Sequence, residues 1–280
     1  MLEQVSERNN DDQPSIPETC LFPLPGLAWQ TAHGGSDAAS YFAVPPETFF
    51  LEHFVRLARD KAALSGLEGL GVDSKDTMKE LGIWAARYHE ICRKALGKPR
   101  WGDKTPSYVA IWPEIEAMFG PGAQYVLVLR HPLDSLVSLV KRGWRFGDRS
   151  PDLLVNNAIY IAEGIQKMLA AMDEYAARCH ALHYEHLIVS PESELRKVFG
   201  FLDSPWEKEV LRYHEKEHGF GTEDPIVCGA KGFIPNFGNW RTLLDKELDK
   251  VLPILEPWMN RLGYSLEADF PPVRDTDQGR

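Results

Sequence analysis

Residues Gln124–Leu129 read Gln-Tyr-Val-Leu-Val-Leu, an almost unbroken apolar run bounded by Gly122 and by Arg130-His131-Pro132. A short, β-branched run without polar alternation predicts a strand covered on both faces, as in a parallel sheet. Pro132 suits the first position of a following helix, where its missing N–H is no loss. Leu133, Leu136, Val137 and Val140 give that helix its apolar stripe. Met78, Leu81, Ala85, Tyr88 and Cys92 recur at three- and four-residue steps and predict a long helix over Asp73–Leu96, closed by Gly97-Lys98-Pro99. Further helices are predicted at Leu51–Arg59, Val109–Phe119, Leu153–Ala177, Glu192–Phe201, Trp206–Glu217 and Asp245–Leu262. His180–His186 predicts a second strand and Gly219–Asn239 a long loop.

Strands alternating with helices predict an α/β fold. The polar stretches 1–18 and 269–280 read as disordered tails, leaving one domain over 19–268. Lys and Arg total 31 and Asp and Glu 41, for a net charge of −10. An acidic chain argues against general binding to nucleic acid or anionic membranes, though not against a local basic pocket for one phosphorylated ligand. The four cysteines, Cys20, Cys92, Cys179 and Cys228, are widely spaced and fit reduced thiols. No apolar leader opens the chain and no run reaches the ~20 residues of a membrane span, so a soluble, cytoplasmic protein is expected.

Three segments carry candidate chemistry. At the exit of the best strand, Arg130 is followed by Ser138 and Arg142 along one edge of the next helix, beside Asp134 and Lys141. Ligands of α/β sheets bind beyond strand carboxyl ends, and guanidinium and hydroxyl groups there suit a phosphate. The alternative is a solvated helix face with an arginine cap. Lys104, in Gly102-Asp103-Lys104-Thr105-Pro106, either reaches an anionic group or belongs to an ordinary turn. Glu47, after Pro45-Pro46 and before a helix, is either a favourable charge at a helix N-terminus or a general base. Metal signals are poor: His180, His183 and His186 alternate faces of a strand, and His214 and His218 suit a solvated helix face.

In order and spacing, VPPETFF at 44–50, GDKTP at 102–106, LRHPLDSLVS at 129–138, HYEHLIVSPESELRKVFGFL at 183–202 and GNWRTLL at 238–244 resemble the sulfotransferase superfamily. The likeness is to bacterial members similar to protein-tyrosine sulfotransferases. The resemblance implies a P-loop-like central parallel sheet flanked by helices. It also implies transfer of a sulfuryl group from 3′-phosphoadenosine 5′-phosphosulfate to a hydroxyl or amine acceptor, without a metal. By the same resemblance Arg130 and Ser138 bind the 3′-phosphate, Arg142 assists, and Tyr184 touches the nucleotide. His186 stands where the family has Asp. Glu47 becomes the base, Lys104 lies near the transfer site, and Lys231 is the cation of a loop that closes over the nucleotide. Acceptor-side aromatic candidates are Phe50, Trp84, Trp144 and Phe146, with Phe50 and Trp84 assigned instead to the core; the acceptor is a small molecule, glycan or peptide.

One expected part is missing. The family's phosphosulfate loop follows the first strand, usually reads like Arg-Ser-Gly-Thr-Thr, and belongs near Gly26–Gln30, where this chain has Gly-Leu-Ala-Trp-Gln. By the same resemblance Cys20–Pro25 is the remnant of that strand, though its prolines make it a poor central one. No Lys or Arg occurs between Arg8 and Arg56. Gly34-Gly35-Ser36 offers backbone N–H groups but no cation. Removing one oxyanion donor typically costs ~3 kcal/mol. Three readings follow: a weakened transferase, an inactive nucleotide-binding or scaffolding relative, or a local frame slip over residues 24–42. A P-loop kinase is disfavoured, since G-x-x-x-x-G-K-[ST] is absent.

Overall fold

The computed structural model describes residues 19–22, 41–45, 47–215, 232–233 and 235–268. The two tails, the loop around Gly26–Gln30, Gly34-Gly35-Ser36 and Lys231 lie outside the described residues.

Five parallel strands form the sheet: β1 (Thr19–Phe22), β2 (Phe42–Ala43), β3 (Arg100–Lys104), β4 (Ala123–Leu129) and β5 (Cys179–His183), in the order β2-β3-β1-β4-β5. The weak strand expected around Cys20 is therefore the central one. It ends at Phe22, ahead of Pro23 and Pro25 in the sequence.

Helices fill both faces: α1 (Phe50–Arg59), α2 (Lys61–Gly69), α3 (Thr77–Ala95), α4 (Trp112–Phe119), α5 (Pro132–Lys141), α6 (Leu153–Glu174), α7 (Tyr184–Val189), α8 (Pro191–Phe201) and α9 (Asp245–Leu262). Strand β4 bears out the two-faced burial. Tyr125, Leu127 and Leu129 enter the larger core with α3 to α6 and α9, while Val126 and Val128 enter a second core with Tyr184, Leu187, Leu195 and Phe199. Alternate residues thus serve opposite layers.

Three elements differ from expectation. Arg100–Lys104 is a fully buried strand, not a turn. Its polar side chains find distant partners: Arg100 donates to the Leu202 carbonyl and, at 2.8 Å, to Gln124 Oε1. The β5 strand stops at His183, so Tyr184 opens a helix. Where a helix over Trp206–Glu217 is expected, the described residues hold a 3₁₀ segment over Lys208–Glu215. Cys92 and Cys179 are free thiols. Among the described residues no helix is long and apolar enough to cross a membrane.

Helices α3 and α4 touch at Gly82, where an added Cβ would lie 2.3 Å from the Met118 carbonyl oxygen. Both partners are backbone, so neither can swing aside. Gly82→Ala is expected to destabilise the fold by ~1–3 kcal/mol, read as a lowered urea midpoint at unchanged slope.

Candidate active site

The strand registers bring four of the sequence-derived residues to one edge. Phe22 is level with Lys104, and Leu129 with His183. Lys104 is the last residue of β3, Arg130 the first after β4, and Tyr184 the first after β5. Glu47 follows β2 by four residues. This row past the carboxyl ends is where parallel sheets hold ligands.

Glu47 and Lys104 meet directly. The Lys104 ammonium, almost completely buried, donates to Glu47 Oε1. An ammonium carries three donors, and among the described residues Glu47 engages one of them. Next to this pair lies a buried polar cluster. The Thr48 hydroxyl donates to Asp103 Oδ2 at 2.7 Å, and Tyr108 OH lies 2.9 Å from Thr48 Oγ1. The Thr105 hydroxyl donates to Asp103 Oδ1 at 3.1 Å and accepts the Thr48 N–H at 3.1 Å. His89 Nε2 lies 2.9 Å from Asp103 Oδ2, and its Nδ1 lies 3.0 Å from the Ala85 carbonyl. Burial, helped by the Asp103 charge, pushes the Tyr108 phenol well above its ordinary value, so it stays a neutral donor.

Arg130 sits over the Tyr184 ring, 4.8 Å from its centroid, and donates to the Asn236 carbonyl. Its buried Nε has no hydrogen-bond partner among the described residues. A buried guanidinium nitrogen left open is the kind of donor an anion completes. One helix onward, Arg142 donates to Ser138 Oγ. So the structure gathers the expected nucleotide residues as two pairs, Arg130 with Tyr184 and Ser138 with Arg142.

The turn between β4 and α5 is held by groups the sequence did not disclose. Glu185 Oε1 accepts the His131 N–H at 2.9 Å, and Oε2 accepts the Tyr264 hydroxyl at 2.6 Å. Asp134 is no surface residue of a polar helix edge: it is buried and accepts the N–H groups of Gly238 and Trp240 at 2.7 and 2.9 Å. The indole of Trp240 stacks on His131 at 5.5 Å. Local pattern does not disclose the roles of His89, Asp103, Asp134 and Glu185, because each has a partner that lies 14 or more residues away. The one available signal was a charged residue type inside an otherwise matching motif. On the acceptor side, Phe50 packs against the core as expected, but Trp84 is 51% exposed on α3 rather than buried. Trp144 is exposed, and Phe146 stacks on Tyr160 at 4.7 Å.

A sequence profile of the sulfotransferase family matches residues 37–208, more than half of the chain. The chain belongs to the sulfotransferase family. It is 24% identical over 194 residues to protein-tyrosine sulfotransferase A of Caenorhabditis elegans, a match covering 64% of this chain and 49% of that protein. The chain thus spans about half the length of that curated relative, and 63% of a Caenorhabditis briggsae homologue. In fold it resembles the sulfotransferase domain of the Synechococcus PCC 7002 olefin synthase, with a TM-score of 0.62, 18% identity, and coverage of 89% of this chain and 95% of that one. It also resembles mouse sulfotransferase SULT7A1 complexed with PAP, with a TM-score of 0.51, 11% identity and coverage of 88% and 85%.

Burial holds the Glu185 carboxyl above the ordinary glutamate value of 4.5, against the opposing hydrogen bonds from Tyr264 and His131. Folding therefore favours the protonated form here. The stability from this site is full below pH 4.5 and declines as pH rises through Glu185's own folded value. Glu185→Gln keeps an acceptor for His131 and cannot ionise. Its stability relative to the unaltered protein is expected to improve as pH rises above 4.5, measured by urea unfolding at several pH values. A constant difference would place no titration at Glu185.

Proposed function

We propose that this chain is a sulfotransferase that moves a sulfuryl group from 3′-phosphoadenosine 5′-phosphosulfate to a hydroxyl or amine acceptor. The observation that carries this is the half-buried Arg130 at the exit of β4, whose buried Nε is open among the described residues. That donor fits a phosphate, and Tyr184, Ser138 and Arg142 complete the proposed holding set. The PAP in the SULT7A1 complex supports the choice of nucleotide. The donor, when bound, supplies the activated sulfuryl group.

The remaining chemistry belongs to the Glu47–Lys104 pair. Sulfuryl transfer, like phosphoryl transfer, needs positioning and charge stabilisation more than covalent participation. Glu47 takes the proton from the acceptor hydroxyl or amine as that group attacks sulfur, while the bond from sulfur to the bridging 5′-phosphate oxygen breaks and 3′-phosphoadenosine 5′-phosphate leaves. Lys104 offers its two remaining N–H donors to negative charge on the transferring group. Burial of the Lys104 ammonium strengthens its interaction, because little water screens it. Relatives that carry a protein-tyrosine sulfotransferase name make a tyrosyl phenol the first acceptor to test.

A second reading keeps the nucleotide half and drops the transfer. It is favoured by one observation: no Lys or Arg between Arg8 and Arg56 supplies the family's phosphosulfate loop. Incubation with ³⁵S-labelled donor and a panel of tyrosyl peptides, simple phenols, amines and glycans separates the two. Labelled product supports the transferase; PAP binding with no label transferred to any acceptor supports the scaffold.

Arg130→Ala is expected to weaken PAP binding at least tenfold, as for a charged hydrogen bond worth ~1.5–3 kcal/mol; an unchanged dissociation constant in calorimetry would remove the phosphate assignment. Glu47→Gln is expected to lower turnover about 100-fold or more with PAP affinity little changed, because it removes the proton acceptor and not the nucleotide contacts. Normal turnover in that variant would remove Glu47 as base.

A further inference from the structure

Glu47-Thr48 and Asp103-Lys104 face each other as two consecutive rungs. Glu47 pairs with Lys104, and Thr48 with Asp103. Successive residues of a strand point to opposite faces, so the rungs grip the 47–48 segment from two sides of β3. The Lys104 rung alone cannot orient a carboxylate, since a lysine stem is long and its ammonium has no directional plane. The Thr48 rung can. Its side chain is short and β-branched, and its acceptor is fixed.

Asp103 is completely buried and takes hydrogen bonds from Thr48 and Thr105, with His89 Nε2 at 2.9 Å. His89 is itself clamped, stacked on Trp101 at 4.1 Å and 17°. A carboxylate is kept in such a place only where hydrogen bonds replace its water. The residue after Thr48 adds a second sign. Phe49 has φ of 54°, the left-handed region that bulky residues rarely adopt. Such backbone persists where the surroundings over-determine it. Here the Thr48 N–H donates to Thr105 Oγ1, and the Leu51 N–H to Tyr108 OH at 3.4 Å.

We propose that Thr48 and Asp103 are positioning residues for the transfer step: their hydrogen bond fixes where the Glu47 carboxylate points beside Lys104. This rests on the reading of Glu47 as the base. Neither residue touches a reacting atom. They act through Glu47, so they should govern turnover and leave nucleotide binding alone.

Thr48→Val removes the hydroxyl and keeps the shape. Turnover is measured with the acceptor selected by the labelled-donor panel, PAP affinity by calorimetry, and amide hydrogen exchange over residues 47–51. Expected is a ~10- to 100-fold fall in kcat, the scale of a small misplacement of a reacting group. KM for the donor and Kd for PAP stay within about twofold, a split expected when an interaction acts in the transition state. Thr48→Ser, which restores the hydroxyl, is expected to recover most of the loss. Amides at 47–51 exchange faster in the valine variant while those of α6 do not.

Wild-type kcat in Thr48→Val, with Glu47→Gln impaired, overturns the proposal and leaves the base in place. Wild-type kcat in both instead removes Glu47 as base. Parallel losses of kcat and PAP affinity show a merely structural role and overturn it. Should no acceptor react, exchange decides: faster exchange at 47–51 upholds the rung, and unchanged exchange overturns it.

Discussion

A strand sealed on both faces keeps a charged side chain along its length only where partners are built for it, as β3 does for Arg100 and Asp103; otherwise charge sits at its ends. Strand β4 is such a strand: Tyr125, Leu127 and Leu129 fill one core and Val126 and Val128 the other. Burying an ionised group among them without partners would cost far more than the fold can spare. Charge therefore collects where the strands stop, and parallel pairing makes them stop together. Lys104, Arg130 and Tyr184 share one edge for this reason. The site follows from how the sheet is packed.

The same constraint explains the buried acids around the edge. Asp103, Asp134 and Glu185 are each fully or almost fully buried, and each is saturated with hydrogen-bond donors. They take backbone N–H groups or hydroxyls and make little use of ion pairing: His131 and Tyr264 for Glu185, Gly238 and Trp240 for Asp134, Thr48 and Thr105 for Asp103. A carboxylate satisfied this way leaves neighbouring cations uncommitted. That arrangement suits a surface expected to receive a multiply charged nucleotide, since Arg130 retains an open Nε.

Much of this was legible in the chain itself, and the rest was hidden for physical reasons. β4 and the proline-led helix after it announce themselves through unbroken apolar residues and a local start signal. Glu47, Lys104, Arg130 and Tyr184 stand in motifs, and the structure sets them along one edge. β3 was illegible, because Arg-Trp-Gly-Asp-Lys has no strand period and its burial depends on partners such as the Leu202 carbonyl. Local pattern undervalues β1, because two prolines follow closely on a strand that ends at Phe22. Asp134 looked like a surface residue because a helical wheel knows nothing of a turn that arrives a hundred residues later. Local pattern reveals what a segment wants; only tertiary contacts reveal what satisfies a buried charge.

The grip of Asp134 on Gly238 and Trp240 has a consequence for how the polypeptide can be divided. The stretch shared with the family profile stops at residue 208, yet the opening turn of α5 is finished by atoms supplied thirty residues later. A piece cut at the profile's boundary would strand an anion in the interior and strip the indole from His131. The recognisable part of the molecule is thus not a self-sufficient module, and any excised fragment intended to stand alone must carry the chain through Tyr264.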